Sequence, residues 1–468
     1  MRVAVLTDYP VVAFANGPSL ATQSLKRHLE LRGHEVTIVG PKPGRDVPDV
    51  EPGSVLLDSV KFAGHPGVQL PFAWPPRAFK NEQMFDVIHS HAASLLMHWG
   101  PMMRAKHDIP CLSTNTVYIP GFAQYTLPQQ LYKFGFVRDF WANVPTKAVE
   151  ASFAKAYSGG DGLIVQCAGL AKYWEDYGLS VPIHVIPRPI DTAIFGVPLG
   201  PDPYRSTFSR EKRIVSVSRH AREKDIDKLI VAFKQYVLPR HPDASLTLVG
   251  DGQEHGELVA LAEALGISDR VDFPGEKAHH ETRDYYGHAS VFAYASMTET
   301  YGQVVSEALW CGAPAVALDD KMGVTFQVQD GFDGVLVQPG ADELEQLGRT
   351  LNQLLAEPER IARMGANAAR RARTRVAPQV IYRQYEDAYG SAREHLDRTR
   401  REGFMAKALP QWVQMMNRHV VPWTVQQCLL VALGSVRGRA KLDKYAIPTQ
   451  RIDALPARTE TVAQEFAA

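Results

Sequence analysis

The stretch Thr298-Glu-Thr-Tyr-Gly-Gln-Val-Val-Ser-Glu307-Ala-Leu-Trp-Cys-Gly-Ala-Pro314-Ala-Val-Ala-Leu318 joins a polar loop, a helix start and an apolar strand in one run. It holds two carboxylates, Glu299 and Glu307. Glu299 follows the apolar run 291–295, which places it in the loop at a strand's carboxyl end, where open α/β sheets bind ligands. Glu307 falls one to two turns into the next helix. Gly302 lets a ligand approach the backbone, so the free N–H groups and positive dipole end of that helix face an anion. Two glutamates eight residues apart also arise by chance as solvated charges. Here, however, Ala308, Leu309, Trp310 and Cys311 set Glu307 beside a packed seam, where a carboxylate needs a partner. A loop carboxylate, an amide nest and a helical carboxylate together suit a polyol carrying phosphates.

Outward from this stretch, the second half of the chain repeats short apolar runs at 213–218, 246–249, 271–273, 313–318 and 334–337, separated by helix-length segments. That alternation predicts a mostly parallel, doubly wound sheet. Directly after the first of these strands comes Arg219-His-Ala-Arg222-Glu-Lys224. Arg219 suits a diphosphate in bidentate fashion and Lys224 as a point charge, although a solvated charged loop has the same composition. Gly250-Asp-Gly252 is a lone G-x-G, weak as a dinucleotide fingerprint.

The first half shows the same alternation. A strand at 3–6 is followed by Asn16-Gly17-Pro18-Ser19, which opens a helix stopped by Gly33. Phe85-Asp-Val-Ile-His-Ser-His91 and the run ending at Asn115 bring His89, His91 and Asn115 to one sheet edge. His89 and His91 also have the spacing of a metal pair, but no third ligand accompanies them. Tyr118 opens an aromatic segment reaching Trp141, which suits an acceptor pocket, a membrane-facing surface, or helices packed on the sheet. Pro187-Arg-Pro-Ile-Asp191 leads to a linker at 196–210 that is dense in Gly, Pro, Ser and charge.

The expected architecture is α/β, with two Rossmann-like doubly wound domains facing a cleft. An amino-terminal acceptor domain spans 1–197 and a donor domain 198–375. A helix at 376–395 crosses back to the first domain. A basic extension at 396–468 carries Trp412 and Trp423.

Lys+Arg and Asp+Glu number 51 each in the 468 residues, so no global field favours nucleic acid and any anion site must be local. The four cysteines contain no C-x-x-C pair, which fits neither a disulfide framework nor a zinc site. The first residues read as a strand rather than a signal peptide, and a cytoplasmic protein is expected.

Taken in order, the Asn16-Gly17 loop, Arg219 with Lys224, Gly250-Asp-Gly252, and Glu299 with Glu307 ahead of Gly312-Ala-Pro-Ala-Val resemble the retaining glycosyltransferases of the GT-B fold, family 4. The resemblance covers about residues 1 to 390. It implies that Glu299 bonds hydroxyls of the donor sugar and that Glu307 holds the nucleotide ribose. It also implies that Thr300, Tyr301, Gly302 and Gln303 support sugar and phosphate through their amides, and that Arg219 and Lys224 neutralise the diphosphate. Gly17 and Gly250 belong to the same donor site by this resemblance. Asn16, His89, His91 and Tyr118 are expected acceptor or phosphate contacts. Asn115 stands where family members usually carry a His, and Asn cannot carry a proton at neutral pH.

The same resemblance implies a nucleotide-diphosphate sugar as donor, UDP-glucose-like or GDP-mannose-like, with no cofactor and no metal. Within the family the chain is similar to the members that glycosylate diacylglycerol-type lipids. The basic extension then suits docking on the inner face of a membrane, because its apolar run 425–436 is too short to span one. Transfer to a soluble glycoside or polysaccharide, or nucleotide-sugar binding without catalysis, are the competing expectations.

Overall fold

The computed structural model describes residues 1–8, 10, 17–42, 53–61, 69–71, 85–93, 95–119 and 145–402. Its strands are β1 (Arg2–Leu6), β2 (Glu35–Pro41), β3 (Val55–Leu57), β4 (Ser59–Lys61), β5 (Gln69–Pro71), β6 (Val87–Ser90), β7 (Cys111–Thr114), β8 (Gly162–Val165) and β9 (Ile183–Val185) in the first half. The second half adds β10 (Arg213–Val217), β11 (Ser245–Val249), β12 (Val271–Gly275), β13 (Val291–Tyr294), β14 (Ala315–Leu318) and β15 (Gly334–Val337). Helices α1 (Gly17–Leu31), α2 (Trp99–His107), α3 (Pro145–Ser158), α4 (Ala168–Asp176) and α5 (Thr192–Phe195) accompany the first sheet. Around the second lie α6 (Ile226–Ala232), α7 (His255–Ala264), α8 (His279–Gly287), α9 (Gln303–Trp310), α10 (Gly323–Gln327), α11 (Glu343–Leu355) and α12 (Pro358–Arg375), and α13 (Pro378–Glu402) ends the described chain.

The first sheet has seven parallel strands in the order β3-β2-β1-β6-β7-β8-β9, and the second has six in the order β12-β11-β10-β13-β14-β15. Every residue of β10 and β11 is buried, because a parallel sheet is covered on both faces. In the second domain one face packs Leu229, Ile230, Leu347 and Leu351, and the other packs Tyr286, Val305, Ala308 and Leu309. Strand order reverses between β1 and β6 and again between β10 and β13, which creates a ligand crevice at the carboxyl ends in each domain.

The long helix α13 follows the second domain in sequence yet packs on the first sheet. Ile381, Tyr382, Tyr385, Ala388, Tyr389 and Ala392 recur at helical spacing and are buried with Val3, Val5, Leu25, Leu112 and Ile164. One such aliphatic side chain, Ile381, contributes about 1.5–3 kcal/mol by leaving water. Among the described residues no helix is long and apolar enough to cross a membrane. The expected membrane-docking tail lies outside the described residues from 403 onward, as does nearly all of the aromatic segment beyond Ile119.

Candidate active site

The loops after β10 and β13 flank the second sheet's switch point, because these strands are hydrogen-bonded neighbours. Lys224 lies on the first loop and Glu299 on the second, and their side chains form an ion pair on Glu299 Oε1. Tyr294 Oη at 2.8 Å and Ser296 Oγ at 2.9 Å address the same oxygen. Burial works to raise the Glu299 carboxyl's pKa. The Lys224 charge and these hydrogen bonds outweigh burial and hold it below the ordinary carboxylate range. Among the described residues all of these bonds fall on Oε1.

Gly302 caps α9 in the left-handed conformation, at φ 75°, and a Cβ there would meet Glu299 Cγ at 3.3 Å. The loop is fastened from behind by Gln327, whose amide donates to the carbonyls of Tyr301, Gly302 (3.1 Å) and Gly323 (3.1 Å). Tyr301 turns its ring into the core and bonds Ser306 Oγ at 2.7 Å, so it offers a ligand only its backbone. Thr300 is half-buried beside it. Gln303 reaches the other domain, its Nε2 donating to Pro189 O at 3.3 Å. Val305 N bonds back to Gly302 O at 2.9 Å, and the two amides before it lie at the positive end of the helix, where an anion is favoured.

Glu307 is buried, and both its oxygens are already engaged: Oε1 by His279 Nε2 at 2.8 Å and Oε2 by Tyr286 Oη at 3.2 Å. Burial works to lower the His279 pKa, but the hydrogen bond and charge of Glu307 outweigh it and raise that pKa. Arg219 is the exposed member of the set, with 64% of its side chain accessible and its guanidinium paired to Glu223. Gly250, at φ 136°, brings the β11 loop so close to Ser218 O that a Cβ would lie 1.9 Å away, which packs this loop against the one bearing Arg219.

Asn115 has no accessible surface, and its Nδ2 donates to Tyr157 Oη at 3.0 Å. His89 is likewise enclosed, between Tyr389 Oη (2.9 Å) and Thr114 Oγ1 (2.7 Å), and ties β6 and β7 to α13. His91 lies at the end of β6, bonded through Nδ1 to Thr22 Oγ1 at 3.4 Å, while its buried Nε2 has no partner among the described residues. Burial and then the Arg188 charge push its pKa down to about 3, which keeps it neutral. Tyr118 stacks edge-on against Tyr173 at 5.4 Å. Gly17 starts α1, and Asn16 lies outside the described residues.

Three contributors escaped the sequence reading: Gln327, His279 and Arg188. Gln327 and His279 act through partners more than twenty residues away, with no local pattern to mark them. Arg188 stood in the Pro-flanked turn before the linker, where a cation next to two prolines was the available signal.

Comparison with known proteins identifies the family. The model for glycosyl transferases group 1 matches residues 205–371, and the model for glycosyltransferase family 4 matches residues 15–194. The chain belongs to the family 4 glycosyltransferases of the GT-B fold, and it is a transferase enzyme. It is 27% identical over 375 residues to an alpha-monoglucosyldiacylglycerol synthase of Streptococcus pneumoniae, covering 77% of this chain and 79% of that one. It is 28% identical over 412 residues to a D-inositol 3-phosphate glycosyltransferase of Xylanimonas cellulosilytica, covering 78% and 91%. The HepE protein of Anabaena, solved in complex with UDP-glucose, shares the fold at a TM-score of 0.60 and 18% identity, over 84% of this chain and 100% of that one.

Proposed function

We propose that this enzyme is a retaining hexosyltransferase that moves a sugar from a nucleotide-diphosphate donor to a hydroxyl of a diacylglycerol-type lipid. The observation that carries the donor half is the Glu299 carboxylate, fixed through Oε1 by Lys224 and Tyr294 at the switch point, next to the glycine-capped start of α9. In this reading Oε2 takes a sugar hydroxyl and Glu307 meets the ribose beside His279. Arg219, Lys224 and the α9 amides stabilise the charge on the departing diphosphate, the role a metal plays in other transferases.

The bond from the sugar's anomeric carbon to the phosphate oxygen breaks as the acceptor oxygen bonds that carbon on the same face. The acceptor's proton passes to the leaving diphosphate oxygen. The protein's share is positioning and electrostatic stabilisation of an oxocarbenium-like transition state.

The lipid half is supported by the likeness to the diacylglycerol-glycosylating relative. The likeness to the inositol phosphate enzyme favours a soluble acceptor as the second reading. Purified protein incubated with UDP-glucose or GDP-mannose, plus diacylglycerol vesicles or inositol phosphate, separates the two by mass spectrometry of the product. Proton NMR of the anomeric linkage tests retention. Nucleotide release without any glycosylated product would remove both acceptor readings.

A further inference from the structure

Arg188 follows β9, where the chain leaves the first sheet. Its segment is tied to the second domain on two sides: Gln303 Nε2 donates to Pro189 O at 3.3 Å, and Ile190 N donates to Val376 O at 3.0 Å. The guanidinium therefore stands near the first turn of α9, within electrostatic reach of Glu299 and Tyr301 in one domain and of His91 and Tyr385 in the other.

The side chain is half-buried and desolvated by the cleft walls. Among the described residues it nonetheless makes no hydrogen bond, ion pair or ring contact. Three other enclosed arginines have carboxylate partners: Arg213 holds Asp202 at 2.9 Å, Arg283 holds Asp284 at 2.9 Å, and Arg371 is paired with Asp333, while Arg375 donates to Phe326 O at 3.1 Å and lies over its ring. An arginine keeps its charge at any working pH, so a desolvated guanidinium without a counter-charge is a standing cost that a bound anion removes. Facing it, His91 is held neutral and cannot supply that charge, and Glu299 is already committed to Lys224. Two buried polar atoms on residues around this segment, His91 Nε2 and Gln303 Oε1, also lack partners among the described residues.

We propose that Arg188 is a phosphate-binding side chain contributed by the first domain, so that a phosphate in the cleft is gripped from both domains at once. This rests on the nucleotide-sugar reading above. The phosphate comes either from the donor diphosphate or from a phosphorylated acceptor, and the planar fork of the guanidinium suits both.

Full-length Arg188→Gln and Arg188→Lys chains are titrated calorimetrically with UDP, GDP, their nucleosides and glycerol 3-phosphate, and melted without ligand. A donor contact weakens binding of the preferred nucleotide at least tenfold in Arg188→Gln, leaves the nucleoside unchanged and gives an intermediate loss in Arg188→Lys. An acceptor contact leaves the nucleotide unchanged and abolishes binding of glycerol 3-phosphate. In either case the ligand-free melting temperature does not fall, because an unpaired charge has been removed. Unchanged affinity for every probe overturns the proposal. So does a parallel loss for nucleotide and nucleoside with a lower melting temperature, which marks a packing role. A wild-type chain that binds neither UDP nor GDP overturns the donor reading itself, and the proposal with it.

Discussion

Lys224 and Glu299 lie 75 residues apart in sequence, yet they meet as an ion pair across two neighbouring strand ends, with side chains only 17% and 13% exposed. The pair builds the donor loop before any ligand arrives. Lys224→Ala strands an enclosed carboxylate, and we expect a loss of about 3–5 kcal/mol in urea unfolding. The double variant Lys224→Ala/Glu299→Gln recovers most of that stability and none of the turnover.

The Glu299 carboxyl, held low by Lys224, also sets an acid limit. A group with a depressed pKa in the fold contributes stability above its unfolded value, about 4.3 for Glu, and loses it as pH falls through the folded value. The stability difference between wild type and Glu299→Gln is therefore full at neutral pH and shrinks only below the ordinary carboxylate range. Thermal melts between pH 7 and pH 3 check this, and a difference that does not change with pH would show that the charge plays no part.

Arg219 separates charge from fold. Its side chain is exposed and its partner Glu223 is one turn away, a kind of pair worth about 0–1 kcal/mol. Arg219→Ala should keep its melting temperature within experimental scatter while turnover with a sugar nucleotide falls at least tenfold. A variant with wild-type turnover would remove Arg219 from the diphosphate site.

His279 gives the nucleotide pocket an alkaline limit. Its raised pKa means the bond to Glu307 contributes stability that is full below the unfolded value of about 6.5 and fades as pH rises through the folded one. His279→Gln should therefore be less stable than wild type at pH 6, with the gap closing toward pH 9. Nucleotide affinity measured across the same range reports whether Glu307 must first release His279.

Gly302 tests the geometry of the loop itself. Alanine there must adopt the left-handed conformation and set its Cβ against Glu299 Cγ, so Gly302→Ala should cost about 1–2 kcal/mol and lower kcat more than it raises KM. Equal turnover in this variant would show that the loop tolerates displacement of Glu299.

The alternation of buried strands with helices was legible because parallel strands are continuous apolar runs, as in 291–295 and 213–218. The pairing of Glu299 with a cation was half legible: both loops followed strands, but only the strand order makes β10 and β13 neighbours. The surroundings of Asn115 and His89 were not legible, because a polar residue at a strand's end reads the same whether it faces the cleft or the next layer. Here Tyr157 and Tyr389 supply the partners that bury them. Gln327 and His279 were beyond reach for a related reason. Their meaning lies entirely in which carbonyl or carboxylate the fold delivers to them.

The return of α13 to the first sheet orders events at the ribosome. Synthesis normally lets an amino-terminal domain close before later ones emerge. Here Ile381, Tyr385 and Tyr389 form one wall of the first domain's core, and they are translated only after the whole second domain. The nascent first domain must wait, with one sheet face uncovered, while its successor is completed. A chain stopped at 377 would leave that face to chaperones, however well the second domain had folded.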